Sequence, residues 1–401
     1  MKTAHEYKLG SWDLTGKRVL LRADLNLPTI DGTVLDTFRL EKTVPTIEDI
    51  LTKGASVTIM THLGRPTSTN PELSTRILKP CFEKYDIPIS FATTPEEAAT
   101  NNARVVLLEN LRFFPGEKKH DASFAKQLAA LGDYYVNDAF GTLHRNDSSV
   151  TLVPQLFTQD RRSIGLLVQQ EMTMLEAILM PPTQPLCVVL GGSKVAEKVP
   201  FITYLLENSR TANYLLGNAH TTILICPAMA MTFTKALGQP VGMSLVDKAG
   251  IDLCTQILAR AKEIAGITIM LPLDYQIARD SIDGPLENVD ANAIPENGIA
   301  VSLGPQTIAR YSQELISART TFMNGTFGFF NRPETLHAMG KICKAMTQEH
   351  GKESVIAGGD AVAAARMLGC AKNILFLSTG GGATLAYISK KPLPGLEALR
   401  D

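Results

Sequence analysis

Cysteine is sparse in this chain and never appears in closely spaced pairs. The six residues Cys81, Cys187, Cys226, Cys254, Cys343 and Cys370 show no C-x-x-C spacing, so a disulfide frame or a zinc ribbon is not expected, and they read as reduced, buried thiols. There is no H-E-x-x-H, and the seven histidines are dispersed, which removes the common His/Cys metal sites. No apolar run approaches the roughly 18 residues that cross a bilayer. The opening "MKTAHEYKLGSWD" lacks the apolar stretch of a secretory signal. The expectation is a cytoplasmic protein without membrane contact. Charge of one sign is missing too: 39 Lys+Arg against 40 Asp+Glu leave a net charge of −1, so no global attraction to nucleic acid is expected. Any anion site must be built locally. Neither G-x-x-x-x-G-K-[ST] nor G-x-G-x-x-G occurs, which excludes a P-loop and the dinucleotide fingerprint.

What is present is an alternation of strand-like and helix-like segments along 401 residues, a length that favours two domains. Strands are expected at 18–23, 56–61, 104–109, 133–138, 186–191, 223–226, 267–272, 320–325, 354–359 and 373–378. Most are continuous apolar runs, the pattern of strands buried on both faces in parallel sheets. Segments such as "DASFAKQLAALG" and "LCTQILARAKEIAG" between them carry apolar residues at helical spacing with a glycine at the end. The class is α/β, repeated twice. The best boundary is the amphipathic stretch from Leu166 to Met180, which runs into "PPTQP".

In open α/β sheets ligands gather beyond the carboxyl ends of the strands. In the first half those positions read "RADLNLP" (Arg22, Asp24, Asn26), "THLGRP" (His62, Arg65), "ENLRFFPGE" (Arg112) and "NDAFGTLHRND" (His144, Arg145), with Arg39 at a helix start. Arginine suits bidentate capture of carboxylate or phosphate, and its repetition at one topological position points to a shared anion site. The second half uses glycine and lysine instead. "LGGSKVAEK" places Lys194 and Lys198 on one face of a helix start, after Gly191 and Gly192. "AGGDAVAAA" gives Gly358, Gly359 and Asp360, and "STGGGATL" gives Gly380, Gly381 and Gly382. Glycine-rich helix starts let amides approach phosphate oxygens, so a polyphosphate ligand is expected. Asp360 reads equally as a helix N-cap or as a magnesium ligand.

In this order, "RADLNLP", "THLGRP", "LLENLRF", "YVNDAFGTLHR", "LGGSKVAEK", "LPLD", "SLGP", "MNGTFGFF", "AGGDAVAAA", "STGGGATL" and "PLPG" resemble the motifs of the phosphoglycerate kinases over nearly the whole chain. The resemblance implies two Rossmann-like lobes with parallel sheets in three α/β/α layers. An N-terminal phosphoglycerate lobe (1–165) and a nucleotide lobe (184–385) would be joined by a hinge helix and linker (166–183), with the tail (386–401) packing back on the first lobe. It implies reversible phosphoryl transfer between ATP and the carboxylate of 3-phosphoglycerate, with Mg2+ accompanying the nucleotide, in a monomer. Asp24, Asn26, Arg39, His62, Leu63, Gly64, Arg65, Arg112 and Arg145 would bind phosphoglycerate. Gly192, Lys194, Lys198, Asn324, Asn331, Gly358, Gly359, Asp360 and Ala361 would bind the nucleotide, Asp360 holding the magnesium. Arg39, Lys198, Gly381 and Gly382 would lie nearest the transferring phosphoryl.

The sequence departs from the family pattern mainly on the nucleotide side. Asn331 replaces a ribose-binding glutamate, Thr326 a proline, and Cys226, Pro227 and Ala228 a glycine trio, preceded by extra residues in "NSRTANYLLGNAH". Ala357 and Ala361 replace a glycine and a threonine, while Asp147 replaces a histidine beside the arginines. Bulkier residues at 226–228 are expected to narrow the base pocket, giving an active enzyme of altered nucleotide affinity. The alternative is a binding or scaffold relative with weakened catalysis.

Overall fold

A computed structural model describes residue 9 and residues 12–216, 219–349 and 351–400, with the backbone alone over 210–216. The chain divides into two compact units, one running through Leu175 and taking back the segment from Lys390 onward, the other comprising Glu176–Ser389. Each is built on a six-stranded parallel sheet.

The first sheet uses β1 (Arg18–Ala23), β2 (Ser56–Met60), β3 (Ser90–Ala92), β4 (Val105–Leu108), β5 (Tyr134–Asp138) and β6 (Arg162–Ile164), in the order β3-β4-β2-β1-β5-β6. In β4 all four side chains are buried, as are five of six in β1, because helices cover both faces. The chain moves outward from β1 through β2 and then reverses to β5. The strand order therefore switches between β1 and β5, where a crevice opens at the carboxyl ends. The second sheet uses β7 (Leu186–Leu190), β8 (Thr221–Ile225) and β9 (Ile267–Met270), then β13 (Thr320–Asn324), β14 (Glu353–Ala357) and β15 (Phe376–Ser378), ordered β9-β8-β7-β13-β14-β15. Its switch point lies between β7 and β13.

All ten expected strands are present. The parallel expectation missed β10 (Asp274–Arg279), β11 (Leu286–Asp290) and β12 (Gly298–Leu303), which form an antiparallel three-stranded sheet of their own. Polar residues interrupt β10, which is two-thirds buried, and β11 has no buried side chain, so neither carries the continuous apolar signature. The short edge strands β3 and β6 were missed as well. Cysteines follow expectation, all six being buried and unbridged. "MAMTF" is helix core, and Trp12 packs beside Tyr134 with ring centroids 4.9 Å apart. His350, one of the histidines expected to be surface or capping residues, lies outside the described residues. No helix among the described residues is long and apolar enough to cross a membrane.

The helix Leu166–Leu179 leaves the first unit through a buried knot. Asp138, the last residue of β5, accepts the amide of Val168 at 3.2 Å and a hydrogen bond from Thr46. Thr46 in turn accepts the amide of Leu166 at 3.0 Å. Only glycine fits at 165, where a Cβ would stand 2.2 Å from Asp138 Oδ1. Burial pushes the Asp138 carboxyl up to about 7. A carboxyl whose folded pKa exceeds its unfolded one keeps its proton longer when folded. Stability therefore falls as pH rises from the unfolded value towards 7, on the order of 1 kcal/mol per pH unit. Asp138→Asn should remove that slope. Urea unfolding at about pH 5 and about pH 8 checks it, and identical losses in wild type and variant would refute it.

The returning tail is held in the first unit by the Gly395 amide, which donates to Leu143 O at 2.9 Å, and by Arg162, which donates to the carbonyl of Arg400. A side chain at Gly395 would collide with Leu143 and Val150 at 2.8 Å.

Candidate functional site

In the first unit the strand ends at the switch point bring the expected cations together. The helix Phe38–Thr52 begins where Asp36 accepts the Phe38 amide at 2.8 Å, which presents Arg39 on the first turn. Arg39 Nη1 donates to Asp24 Oδ1 at 3.1 Å and to the Asn26 carbonyl at 2.9 Å. His62 is buried beside this pair. Its Nδ1 lies 3.9 Å from Asp24 Oδ1 and 3.5 Å from Arg22 Nη2, while Arg145 Nη1 approaches Nε2 at 3.1 Å. The shorter contact assigns Nε2 as the acceptor and leaves the proton on Nδ1, towards Asp24. Burial first, and then the guanidiniums of Arg22, Arg112, Arg145 and Arg39, hold the imidazole well below the ordinary histidine range. His62 is a neutral acceptor among cations.

Burial also lowers Arg112 and Arg145, and the field of each is felt by the others: Arg145, Arg22 and Arg65 act on Arg112, and Arg22 and Arg39 on Arg145. A cluster of mutually repelling guanidiniums, only partly offset by Asp24 and Asp147, is a site poised for an anion. Asp147 lies beside Arg112 and Arg145 as expected, but its charge is shared with Lys118 at 2.8 Å.

Not every residue assigned from sequence presents a side chain. Leu63 is fully buried and the Gly64 amide is spent on Asn26 Oδ1 at 2.7 Å, so both set the shape of the loop. Gly64 adopts a φ of 61°, where a Cβ would meet Leu73 at 2.7 Å. Arg65 is exposed. Sequence reasoning named Arg22 but gave it no role. It is fully buried, bonding Ser149 Oγ at 2.8 Å, and Ser149 donates to Glu117 at 2.6 Å. Asn110 was missed altogether, although an asparagine two residues past an apolar strand is a recognisable turn-capping signal.

In the second unit the centre is Asn324, the buried last residue of β13. Its Oδ1 accepts from Lys198 Nζ at 3.2 Å, and its Nδ2 faces the carbonyls of Ala357 and Gly381, both at 3.3 Å. One amide thus ties the lysine to both glycine-rich turns. Those turns touch: Gly358, with φ 107°, and Gly381 leave less than 4 Å between one Cα and the other's would-be Cβ. The helices Gly359–Met367 and Gly382–Ile388 both start without a side-chain cap.

Two expectations are corrected here. Lys194 and Lys198 do not share a helical face. The helix Val195–Leu216 starts after Lys194, whose exposed ammonium pairs with Glu197 at 3.0 Å, while Lys198 turns inward to Asn324 and burial lowers its pKa. The cause is the cap, because Asp247 Oδ2 accepts the Val195 amide at 3.0 Å and fixes the first turn there. Asp360 is no N-cap, since Gly358 occupies that position and the exposed Asp360 follows in the first turn. Gly359 is half-buried and Asn331 exposed, while Ala361 is 1% exposed and can offer a ligand only its backbone. Gly192, with φ 87°, leaves open space up to Lys198 Nζ, 3.6 Å from its would-be Cβ. Cys226 and Pro227 are buried at the head of the helix Pro227–Ala236, so most of the added bulk enters the core rather than a pocket. The preceding insertion extends the helix Val195–Leu216, and the side chains of 210–218 lie outside the described residues.

The sequence profile described as phosphoglycerate kinase matches residues 9–391. The chain belongs to the phosphoglycerate kinase family. It is similar to a phosphoglycerate kinase of Thermus thermophilus, 38% identical over 397 residues covering 96% of this chain and 98% of the relative. It is likewise similar to that of Dictyoglomus turgidum, 35% identical with 97% of each chain covered. Among solved structures it resembles phosphoglycerate kinase from Pyrococcus horikoshii, with a TM-score of 0.81 and 26% identity, and that from Coxiella burnetii, with a TM-score of 0.72 and 28% identity. Each of these two matches covers 98% of both chains. As a phosphoglycerate kinase the chain transfers a phosphoryl group to a carboxylate. Such chemistry needs no general base on the acceptor, which is ionised at neutral pH, and a neutral His62 agrees with that.

Proposed function

We propose that this chain catalyses reversible phosphoryl transfer between ATP and 3-phosphoglycerate, with the arginine cluster of the first unit holding phosphoglycerate and the Lys198–Asn324 centre of the second holding the nucleotide phosphates. The observation that carries the reading is the convergence of Arg22, Arg39, Arg112 and Arg145 around a neutral histidine. A trianionic substrate relieves that repulsion. Within it, Arg39, Asp24, Asn26, His62, Arg65, Arg112 and Arg145 orient the phosphate and carboxylate, and Leu63 and Gly64 keep the loop in shape. Lys198 and the amides of Gly381 and Gly382 stabilise negative charge on the moving phosphoryl, which passes through a loose transition state needing charge and alignment more than covalent help. Arg39 serves the same phosphoryl from the acceptor side. Gly192, Gly358 and Gly359 leave room for the nucleotide, with Lys194, Asn331 and the Ala361 amide around it.

Magnesium fits this site through the nucleotide rather than through a cage. Among the described residues no three His, Cys, Asp or Glu side chains gather to hold a metal, and Asp360 offers a single exposed carboxylate. Mg2+ is commonly held by one carboxylate together with substrate phosphates. Asp360 would hold it, and the ion would neutralise phosphate charge.

We also propose a cytoplasmic monomer. A coupled assay with ATP, magnesium and 3-phosphoglycerate should show turnover, with phosphoglycerate binding seen independently by calorimetry. Phosphoglycerate binding without turnover on any nucleoside triphosphate would favour the scaffold alternative, and no binding would reject the assignment.

A further inference from the structure

We infer that Asn110 is a positioning residue for phosphoglycerate capture, its one side chain locking the His62–Arg65 loop and the turn that carries Arg112 into a single geometry. The inference rests on the reading of the arginine cluster as the phosphoglycerate site. Asn110, two residues beyond β4, is fully buried, so it touches no substrate itself. Its amide is nonetheless saturated. Oδ1 accepts from the Leu63 amide at 3.2 Å and from the Arg112 amide at 3.1 Å, and Nδ2 donates to the carbonyls of Leu63 at 2.7 Å and Leu73 at 2.8 Å. Two lone pairs and two N–H groups are the full capacity of a carboxamide, and all are used.

The pattern of partners gives the role. By bonding Leu63 and Leu73 at once, Asn110 closes the neck of the loop that presents His62 on one side and Arg65 within it. By accepting the Arg112 amide, it caps the turn Leu111–Phe113. Arg112 then reaches back to donate to the Gly64 carbonyl, so the two anion-binding segments are joined twice. The preceding residue completes the clasp: Glu109 accepts from Ser74 Oγ at 2.7 Å and from the Thr75 amide at 2.9 Å, holding the far leg of the loop. No other side chain of this size replaces the carboxamide. Aspartate has no N–H to donate and would place a charge against two carbonyls, and alanine would strip four backbone groups of their partner, the two of Leu63 buried and those of Leu73 and Arg112 partly so.

Asn110→Ala and Asn110→Asp should raise the KM for 3-phosphoglycerate by about 10- to 100-fold while the KM for ATP changes less than about twofold. The melting temperature is measured alongside, because a purely structural role would lower it and leave the phosphoglycerate KM alone. Should both variants fail to fold, amide hydrogen exchange on the wild type decides. Leu63 and Arg112 amides must be protected without ligand, and exchange at the rate of open loops overturns the inference. Unchanged phosphoglycerate KM in folded variants also overturns it. A wild-type chain that binds no phosphoglycerate fails the underlying reading instead, which separates the two.

Discussion

Lys198→Ala should lower kcat by about 10³-fold with little change in the melting temperature. The lysine is half-buried, its ammonium is 3.2 Å from Asn324 Oδ1, and it stands where both glycine-rich turns meet. Its hydrogen bond is to a neutral amide, and although Glu197 acts on it from a distance, burial outweighs that carboxylate. Lys194 has a carboxylate already, Glu197 at 3.0 Å, and both groups are more than half exposed to solvent. Lys194→Ala should therefore act mainly on the KM for ATP, and by less than about tenfold. The contrast between two lysines four residues apart is the test. Burial lowers the pKa of Lys198, so wild-type activity should also decline at a lower alkaline pH than an exposed lysine would require. Steady-state kinetics of both variants, with a pH profile of the wild type, measures all of this. Equal losses in the two variants would remove Lys198 from its special position.

Arg39→Ala should raise the KM for 3-phosphoglycerate and lower kcat, for a combined loss in kcat/KM of about 10³-fold or more. It should also destabilise the first unit, because Asp24, 3% exposed, would lose its guanidinium partner. Removing one member of a buried pair costs on the order of 3 kcal/mol. Arg39→Lys separates the two effects. It restores the charge near Asp24, and one ammonium can donate to Asp24 and the Asn26 carbonyl as Nη1 does, so most of the stability returns; a lysine has no planar guanidinium to engage an anion in a bidentate way, and catalysis should stay low. Urea unfolding beside the kinetics resolves this. Full activity in Arg39→Lys would show that charge alone matters at this position.

The central strands were legible because burial on both faces writes a continuous apolar run into local sequence, as in "VVLL" of β4 and "LCVVL" of β7. The antiparallel strands β10 to β12 were not, since partly exposed faces admit "DYQIAR" and "LENVD", which resemble loops. The arginines could be listed from their place after strands, but nothing local says which of them meet. Arg22 sits on a strand and reads as a buried anomaly, yet its guanidinium ends 3.5 Å from His62, forty residues away. The lysine pair was misjudged for a related reason. Spacing of four implies one face only if the helix includes both, and the Asp247 cap that decides where the helix begins is some fifty residues downstream.

By itself the sequence settled the two α/β halves, the strand ends where chemistry collects, and the residue types offered there. These follow from hydrophobic periodicity and glycine placement, which act over a few residues at a time. Tertiary structure alone decided that His62 is neutral, that Lys198 faces inward while Lys194 does not, and that Asn110 spends all four of its hydrogen bonds on two loops. Protonation, orientation and hydrogen-bond saturation depend on solvent exclusion and on distances between groups far apart in the chain, and only packing sets those.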